Sequence, residues 1–330
     1  MLNLNEYYVL GIDVSKEYLT VYDGNEHYTV RNEKRLKELD RLIRRRVGEE
    51  YEKVIISYEP TGGYSYHLFR FCSKKGIKVV RVNPYRASHF FKSQKTRGKN
   101  DKKDAEDLRK FVFVFPEEVK EIRLDERLEK LKTLVSLYEK TQKDITNWKN
   151  RLNHMKEYLS EKKEVIEDMR GVIKNLEKNK RRLLKDINSI INEDKELKRR
   201  REYIRSMYGV GEVISMALLV FFMRYPNASR SQIVSLSGLD VVHSSSGKSV
   251  KRKSKISKRG NKFVRKLLFM SAMRLSRKDG RFKDMYEKLL SKGKSKKAAY
   301  VAIMRKTLLI TRALYKNMTF FREDYNYSAA

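Results

Sequence analysis

The sequence predicts an α/β layer with a mixed sheet, then a long coiled coil, then a mostly α-helical C-terminal region. Three observations carry this expectation. Short apolar strands alternate with amphipathic helices over the first hundred residues, which is the pattern of a layered α/β domain. From Leu124 to about Ile204 apolar residues recur every seven positions, without proline and with one glycine, Gly171. Beyond them, helices with apolar spacing flank a strongly basic run. The expected domains are therefore 1–123, 124–203 and 204–330.

The N-terminal elements follow from local pattern. Tyr7–Ser15 reads as a buried strand whose only charge is Asp13. Leu19–Asp23 and Tyr28–Val30 are short strands joined at Asp23-Gly24-Asn25, so the first three strands form an antiparallel meander. Lys34–Val47 places Leu36, Leu39, Leu42 and Ile43 at helical spacing. Val54–Glu59 is an apolar strand ending in an acid. Pro60-Thr-Gly-Gly is a turn and Tyr64–Lys75 a helix. Lys78–Val82 is a further core strand before Asn83-Pro84.

In the middle region Leu124, Leu131, Tyr138, Ile145, Leu152, Leu159, Ile166, Ile173 and Ile187 form the main stripe. Sustained heptads separated by charges mean coiled coil. One continuous helix would run to roughly 120 Å, so a hairpin is expected, turning near Ser160–Lys163 or at Gly171. Such a stripe needs a partner, which favours a dimerisation arm over a plain spacer. Trp148 and the methionines are core residues.

In the C-terminal region Gly209-Val-Gly211 opens an apolar helix. It lacks the third glycine and the preceding strand of a dinucleotide fingerprint. It reads instead as a connection between helices whose amides are placed to hold a phosphate. Arg224–Ser229 is a loop capping a helix over Ser231–Leu236. Lys262–Leu275 and Lys296–Tyr315 show helical apolar spacing.

Charge narrows the function. The 330 residues carry 76 Lys plus Arg against 42 Asp plus Glu, a net +34. Self-repulsion on that scale points to a polyanionic partner, nucleic acid. The charge is also clustered. Between Ser244 and Lys266 stand Lys248, Lys251, Arg252, Lys253, Lys255, Lys258, Arg259, Lys262, Arg265 and Lys266, with no acid among them. Interleaved with Ser and Gly, they suit phosphate contacts. Arg97 and Lys99 extend the basic surroundings of a second feature, the run Lys99–Asp107. A lone cysteine, Cys72, excludes a disulfide framework and fits a reducing cytoplasm. Neither a signal peptide nor a membrane span is expected.

Asp101 and Asp104 lie three residues apart; on a helix their Cβ atoms would stand about 5–6 Å from each other. Paired acids repel unless a cation intervenes, and Mg²⁺ takes oxygen ligands and shares them with phosphate. Taken singly, Asp13 reads equally as a strand-end turn residue and Glu59 as a helix cap. In order, however, a strand acid, a strand-end acid and a helix pair make the four-carboxylate pattern of an RNase H-like or Holliday-junction-resolvase-like nuclease. Two metals about 3.5–4 Å apart would clamp the attacking and leaving oxygens of a phosphodiester. His243 reads as a DNA contact or loop residue.

Gly11-Ile-Asp-Val-Ser-Lys, Glu59-Pro-Thr-Gly-Gly-Tyr, Val82-Asn-Pro and Asp101-Lys-Lys-Asp-Ala occur in the order found in the insertion-sequence-110 transposases. The resemblance continues through Gly238-Leu239, Ser246-Gly247 and Ile256-Ser-Lys-Arg-Gly260; Val241 stands where that family often has proline. The likeness implies a site-specific DNA recombinase of an insertion sequence, guided by a bridge RNA. It implies Asp13, Glu59, Asp101 and Asp104 as metal ligands for Mg²⁺. Ser246 would be the nucleophile forming a phosphoserine link, with Ser245 the alternative by one register. Glu106 and Asp107 would be solvated bystanders. Donor and target DNA, the RNA and a homo-oligomer (a dimer, with a tetramer in the synaptic complex) would be the partners, the serine and the acids coming from different subunits. The competing functions are a four-acid junction nuclease using water and a non-enzymatic RNA-binding scaffold.

Overall fold

A computed structural model describes residues 3–93, 100–121, 125–155, 158, 162–242, 245–246, 250–251 and 255–323. The chain forms two compact units, Met1–Asp125 and Glu126–Ala330.

The first unit is built on one mixed sheet. Its strands are β1 (Tyr8–Val14), β2 (Tyr18–Tyr22), β3 (His27–Arg31), β4 (Val54–Tyr58), β5 (Lys78–Arg81) and β6 (Lys120–Glu121). They lie in the order β3-β2-β1-β4-β5-β6. The meander β1-β2-β3 is antiparallel, as the sequence predicts, while β1, β4 and β5 run parallel. The parallel strands are crossed over by α1 (Lys37–Val47) and α2 (Tyr66–Lys75). Alternation along β1 then sorts the two faces. Leu10, Ile12 and Val14 pack with Leu39, Ile43, Leu68 and Cys72 on one side. On the other, Val9 packs with Ile55, Val80, Leu108 and Phe111 beneath α3 (Pro84–Ser93) and α4 (Asp101–Val114).

Gly11 determines how α4 lies. A Cβ at Gly11 would stand 2.0 Å from the Ala105 carbonyl oxygen and 2.5 Å from the Arg109 amide nitrogen. Only a bare Cα lets the helix backbone come this close. The Arg109 Nε–H also donates to the Val9 carbonyl at 3.0 Å. So the helix runs back along the strand, with the turn from Ala105 to Arg109 at Gly11 and the Arg109 side chain reaching Val9.

In the second unit α5 (Glu126–Met155) and α6 (Lys163–Glu193) pack against each other. Lys149 pairs with Glu177 at 2.6 Å and Lys180 with Gln142 at 3.0 Å. As one position rises the other falls, so the helices are antiparallel. The chain reverses between Met155 and Lys163, and α6 runs straight through Gly171. A lone glycine costs a helix only about 1 kcal/mol, which is too little to break one this long. The expected alternative turn at Gly171 is thereby corrected.

The heptad positions Leu131, Tyr138, Ile145, Ile173 and Ile187 are buried. The stripe finds its partner within the chain, so it does not by itself call for a second copy. Its base merges with the core of α7 (Lys195–Arg205), α8 (Glu212–Arg224), α9 (Arg230–Ser237), α10 (Lys262–Leu275), α11 (Arg281–Ser291) and α12 (Lys296–Asn317). Helix α8 is apolar all round, and Ser215–Phe222 is accordingly buried without interruption. Ser229 and Gln232 close a capping box at the start of α9. Two short antiparallel pairs complete the unit. One is β7 (Val241–Val242) with β10 (Lys255–Ile256), and the other β8 (Ser245–Ser246) with β9 (Val250–Lys251). Among the described residues no helix is long and apolar enough to cross a membrane.

We predict that Gly11→Ala destabilises the chain by about 3 kcal/mol, the upper end for overpacking, because backbone rather than a movable side chain opposes the methyl. Urea unfolding of the full chain measures this; an unchanged midpoint would show that α4 is not seated on the glycine.

Candidate active site

The strand–helix contact carries directly into the site. Two strand residues advance about 6.7 Å and four helix residues about 6 Å. With Gly11 seated between Ala105 and Arg109, the preceding turn of the helix lies towards Asp13, and Asp101 and then Asp104 are the acids that act on it most. Asp101 lies on the buried stripe of Ala105, Leu108 and Val112, extended one turn past the sheet. Asp104 is a turn-neighbour on the same side. The Asn100 side-chain oxygen accepts from the Lys102 amide at 3.1 Å and caps the helix. Both acids sit in its first turn, where the helix dipole favours negative charge.

Glu59 is brought to the same face by register. Ile12 pairs with Tyr58 in the parallel ladder, so the next residues, Asp13 and Glu59, leave their strands side by side. The loop after β4 is tied to the end of β1. Thr61 Oγ1 donates to the Val14 carbonyl at 3.0 Å, and Asn32 Nδ2 donates to the Ser15 and Tyr64 carbonyls at 2.8 and 2.9 Å. All this lies at the carboxyl ends of parallel strands, where open α/β sheets place their ligands.

Asp13 lies in the field of the other three acids. Burial first, then Asp101, Asp104 and, more weakly, Glu59 together raise its carboxyl to about 6, against a backbone hydrogen bond at Val14. Among the described residues no three acid, histidine or cysteine side chains close into a ready-made cage for an ion. The donor set nonetheless fits a hard divalent cation. Mg²⁺ commonly binds through one or two carboxylates and completes its shell with water and substrate phosphate, and the mutual repulsion at Asp13 is what such a charge would relieve.

One neighbour departs from expectation. Asp107 is fully buried rather than solvated. Among the described residues its carboxylate accepts no hydrogen bond, and Lys103 and Lys110 stand 3.7 and 3.8 Å away. Burial raises its carboxyl above the usual range. Spacing on the helix gave no sign of this, because the cover comes from the tertiary packing of α4. Glu106 is half-buried, pairing with Lys103 at 2.9 Å and with His27 at 3.4 Å. The role of Gly11 was legible: a glycine inside an apolar strand marks a close backbone approach.

In the second unit the backbone of Ser246 is paired with Val250, and that of Ser245 with Lys251. This hairpin is inserted between β7 and β10, whose root is closed by two glycines. A Cβ on Gly260 would stand 2.3 Å from the Gly238 nitrogen and 2.2 Å from the Leu236 carbonyl oxygen. Arg265 locks the junction by donating to the Ser237 and Gly260 carbonyls at 2.9 and 3.1 Å. Lys255, Lys258, Arg259 and Lys262 are exposed around it. Lys251 is described by its backbone alone. Arg97, Lys99, His243, Lys248, Arg252 and Lys253 lie outside the described residues.

The chain thus joins an α/β unit with acids at its strand ends to a helical unit with a serine hairpin in a basic run. Comparison with known proteins defines the class as a transposase. Residues 10–159 match the DEDD model of the IS110 group, described as "Transposase", and residues 201–287 match "Transposase IS116/IS110/IS902 family". The chain belongs to the IS110 family of transposases. Pilin gene-inverting proteins of Moraxella lacunata and Moraxella bovis are each 29% identical over 262 residues, 78% of this chain and 79% of theirs. It is thus a DNA-cutting and -rejoining enzyme, of a class whose four-acid domain points to divalent-metal use.

The acid cluster yields a pH prediction. Folded Asp13 holds its proton up to about 6, whereas the unfolded chain releases it near 3.8. The folded state therefore binds more protons in this window, and metal-free stability falls as pH rises through it. Denaturation midpoints measured from pH 3.5 to 7 should lose this fall in Asp13→Asn. At pH 7, added Mg²⁺ should stabilise the parent chain and not the variant.

Proposed function

We propose that this transposase moves its insertion sequence by serine recombination, with Mg²⁺ at Asp13, Glu59, Asp101 and Asp104 and a bridge RNA choosing donor and target DNA by base pairing. The observation that supports it most is that Asp13 and Glu59 stand at the carboxyl ends of the paired strands β1 and β4, with the first turn of α4 close enough for Asp101 and Asp104 to act on Asp13. Family membership makes DNA the substrate. When bound, Mg²⁺ would supply Lewis acidity to the scissile phosphate.

The chain's own residues do the rest. Asp13 and Glu59, fixed by the β1/β4 register, and Asp101 and Asp104, fixed by the helix seated on Gly11, hold the phosphate's counter-charge in place. The Ser246 oxygen bonds to phosphorus as the phosphorus–sugar oxygen bond breaks. The serine proton ends on the released sugar hydroxyl, so the step consumes no outside reagent. Reversal with a second sugar hydroxyl rejoins the strand. Basic residues of the hairpin and of α10 neutralise backbone phosphates. Sequence choice by RNA pairing suits a basic chain that has no evident base-reading helix. The chain would act as a homo-oligomer, a dimer assembling to a tetramer on paired DNA ends. The runner-up is a four-acid nuclease in which water replaces Ser246.

Denaturing gels of the enzyme with labelled DNA ends separate the two. The parent chain and Ser245→Ala should give a protein–DNA adduct, and Ser246→Ala should lose adduct and recombination by about 10³-fold or more. Cutting and rejoining that persists in Ser246→Ala defeats the serine mechanism. Asp101→Asn and Asp104→Asn should each reduce recombination on a similar scale while leaving DNA binding in place.

A further inference from the structure

At the root of the serine hairpin lies a groove of about 940 Å³ between α10 and α12. One wall carries Lys258, Lys262 and Lys266. The other carries Lys297, Arg305 and Lys306, from a helix that begins thirty residues after Lys266. No carboxylate lines it among the described residues. Its apolar lining includes Phe269, Val301 and Leu309. Phe269 is 36% exposed, and its ring is held edge-on to Tyr300, 5.5 Å between centroids, with Tyr286 stacked behind at 5.0 Å. The lining includes Val241, Lys255 and Ile256 of the β7–β10 pair, the strands that flank the Ser246 hairpin in sequence.

Two cationic walls and an exposed aromatic ring suit one kind of ligand. Stacking platforms beneath an electropositive track are how proteins hold unpaired nucleic acid. A duplex hides its base faces and would meet only the walls. A second copy of this chain, with net charge +34, would bring like charge to the groove. The volume is that of a site enclosing a small ligand, so it takes a short run of nucleotides. We infer that this groove holds an unpaired stretch of the DNA strand next to the phosphate being processed, backbone along the α10 and α12 walls and bases against Phe269. The inference deepens the recombinase reading by naming the form of DNA bound, and it does not depend on Ser246 being the nucleophile.

Fluorescence anisotropy with labelled oligothymidylate, and with a duplex of equal length, tests this across a salt series. In the full chain, Phe269→Ala should weaken oligothymidylate binding about 5- to 100-fold and leave duplex binding within two-fold. Phe269→Tyr should retain it. Lys297→Ala with Arg305→Ala should lower the single-strand salt slope by about 1 to 1.5, at ~0.7 per phosphate contact. Ser246→Ala should bind like the parent chain, so failure of the serine mechanism and failure of the groove are read separately. Equal losses for duplex and single strand in Phe269→Ala would overturn the inference. So would displacement of the oligonucleotide by polyglutamate with no effect of Phe269→Ala, which would make the groove a mere charge trap for an acidic polypeptide.

Discussion

Gly11 sets how near α4 can come to β1, and the arrangement of acids follows from that distance. With the helix backbone against a bare Cα, four-residue steps along α4 keep pace with two-residue steps along β1. A methyl at Gly11 would lift the helix and break this correspondence first at its free end, where Asp101 and Asp104 stand. The Arg109 hydrogen bond to Val9 pins the opposite end. Neighbouring β4 adds Glu59 through the parallel ladder alone. Four carboxylates from three elements are thus placed by backbone geometry, with little left to side-chain packing.

That placement costs electrostatic energy. A half-buried aspartate with three acids in its field is poorer at ionising, and nothing about folding rewards it. The surroundings offset part of the cost: the dipole at the start of α4 and the excess of lysine and arginine along the chain. What remains is a repulsion at Asp13 of the kind that a divalent cation would relieve. Asp107 differs in kind, although it belongs to the same helix. Its two lysines are too far for hydrogen bonds and it lies out of solvent, so it contributes no ready ligand.

Much of this could be read from residues alone. The antiparallel meander, the alternation of strands and helices after it and the span Lys262–Leu275 all follow from period and punctuation; β6, a two-residue edge strand, does not. What escaped depends on distant parts of the chain. The burial of Asp107 depends on what covers α4. The turn between α5 and α6 was open because Gly171 is a tolerable helix residue. The heptad stripe suggested a second copy because a stripe shows only that a partner exists, and here the partner is the returning helix. The α12 wall of the groove was hidden because Lys297, Arg305 and Lys306 are ordinary helix charges until α10 is set beside them.

The helical unit meets a demand the α/β unit does not. A serine carried on a hairpin with two-residue strands has little cooperative structure of its own. Its definition must come from its root. There Gly238 and Gly260 bring two backbones together more closely than any side chain permits. Arg265 spends its guanidinium on the carbonyls of that junction, which explains why one cation in a basic run faces inward. The root is therefore closely packed. A closely packed root beside a charged groove lined by Phe269 would let the strand be held by one set of contacts while the hairpin addresses its phosphate. Binding energy gathered at Phe269 and the two walls could then position a reacting atom that the hairpin alone holds too loosely.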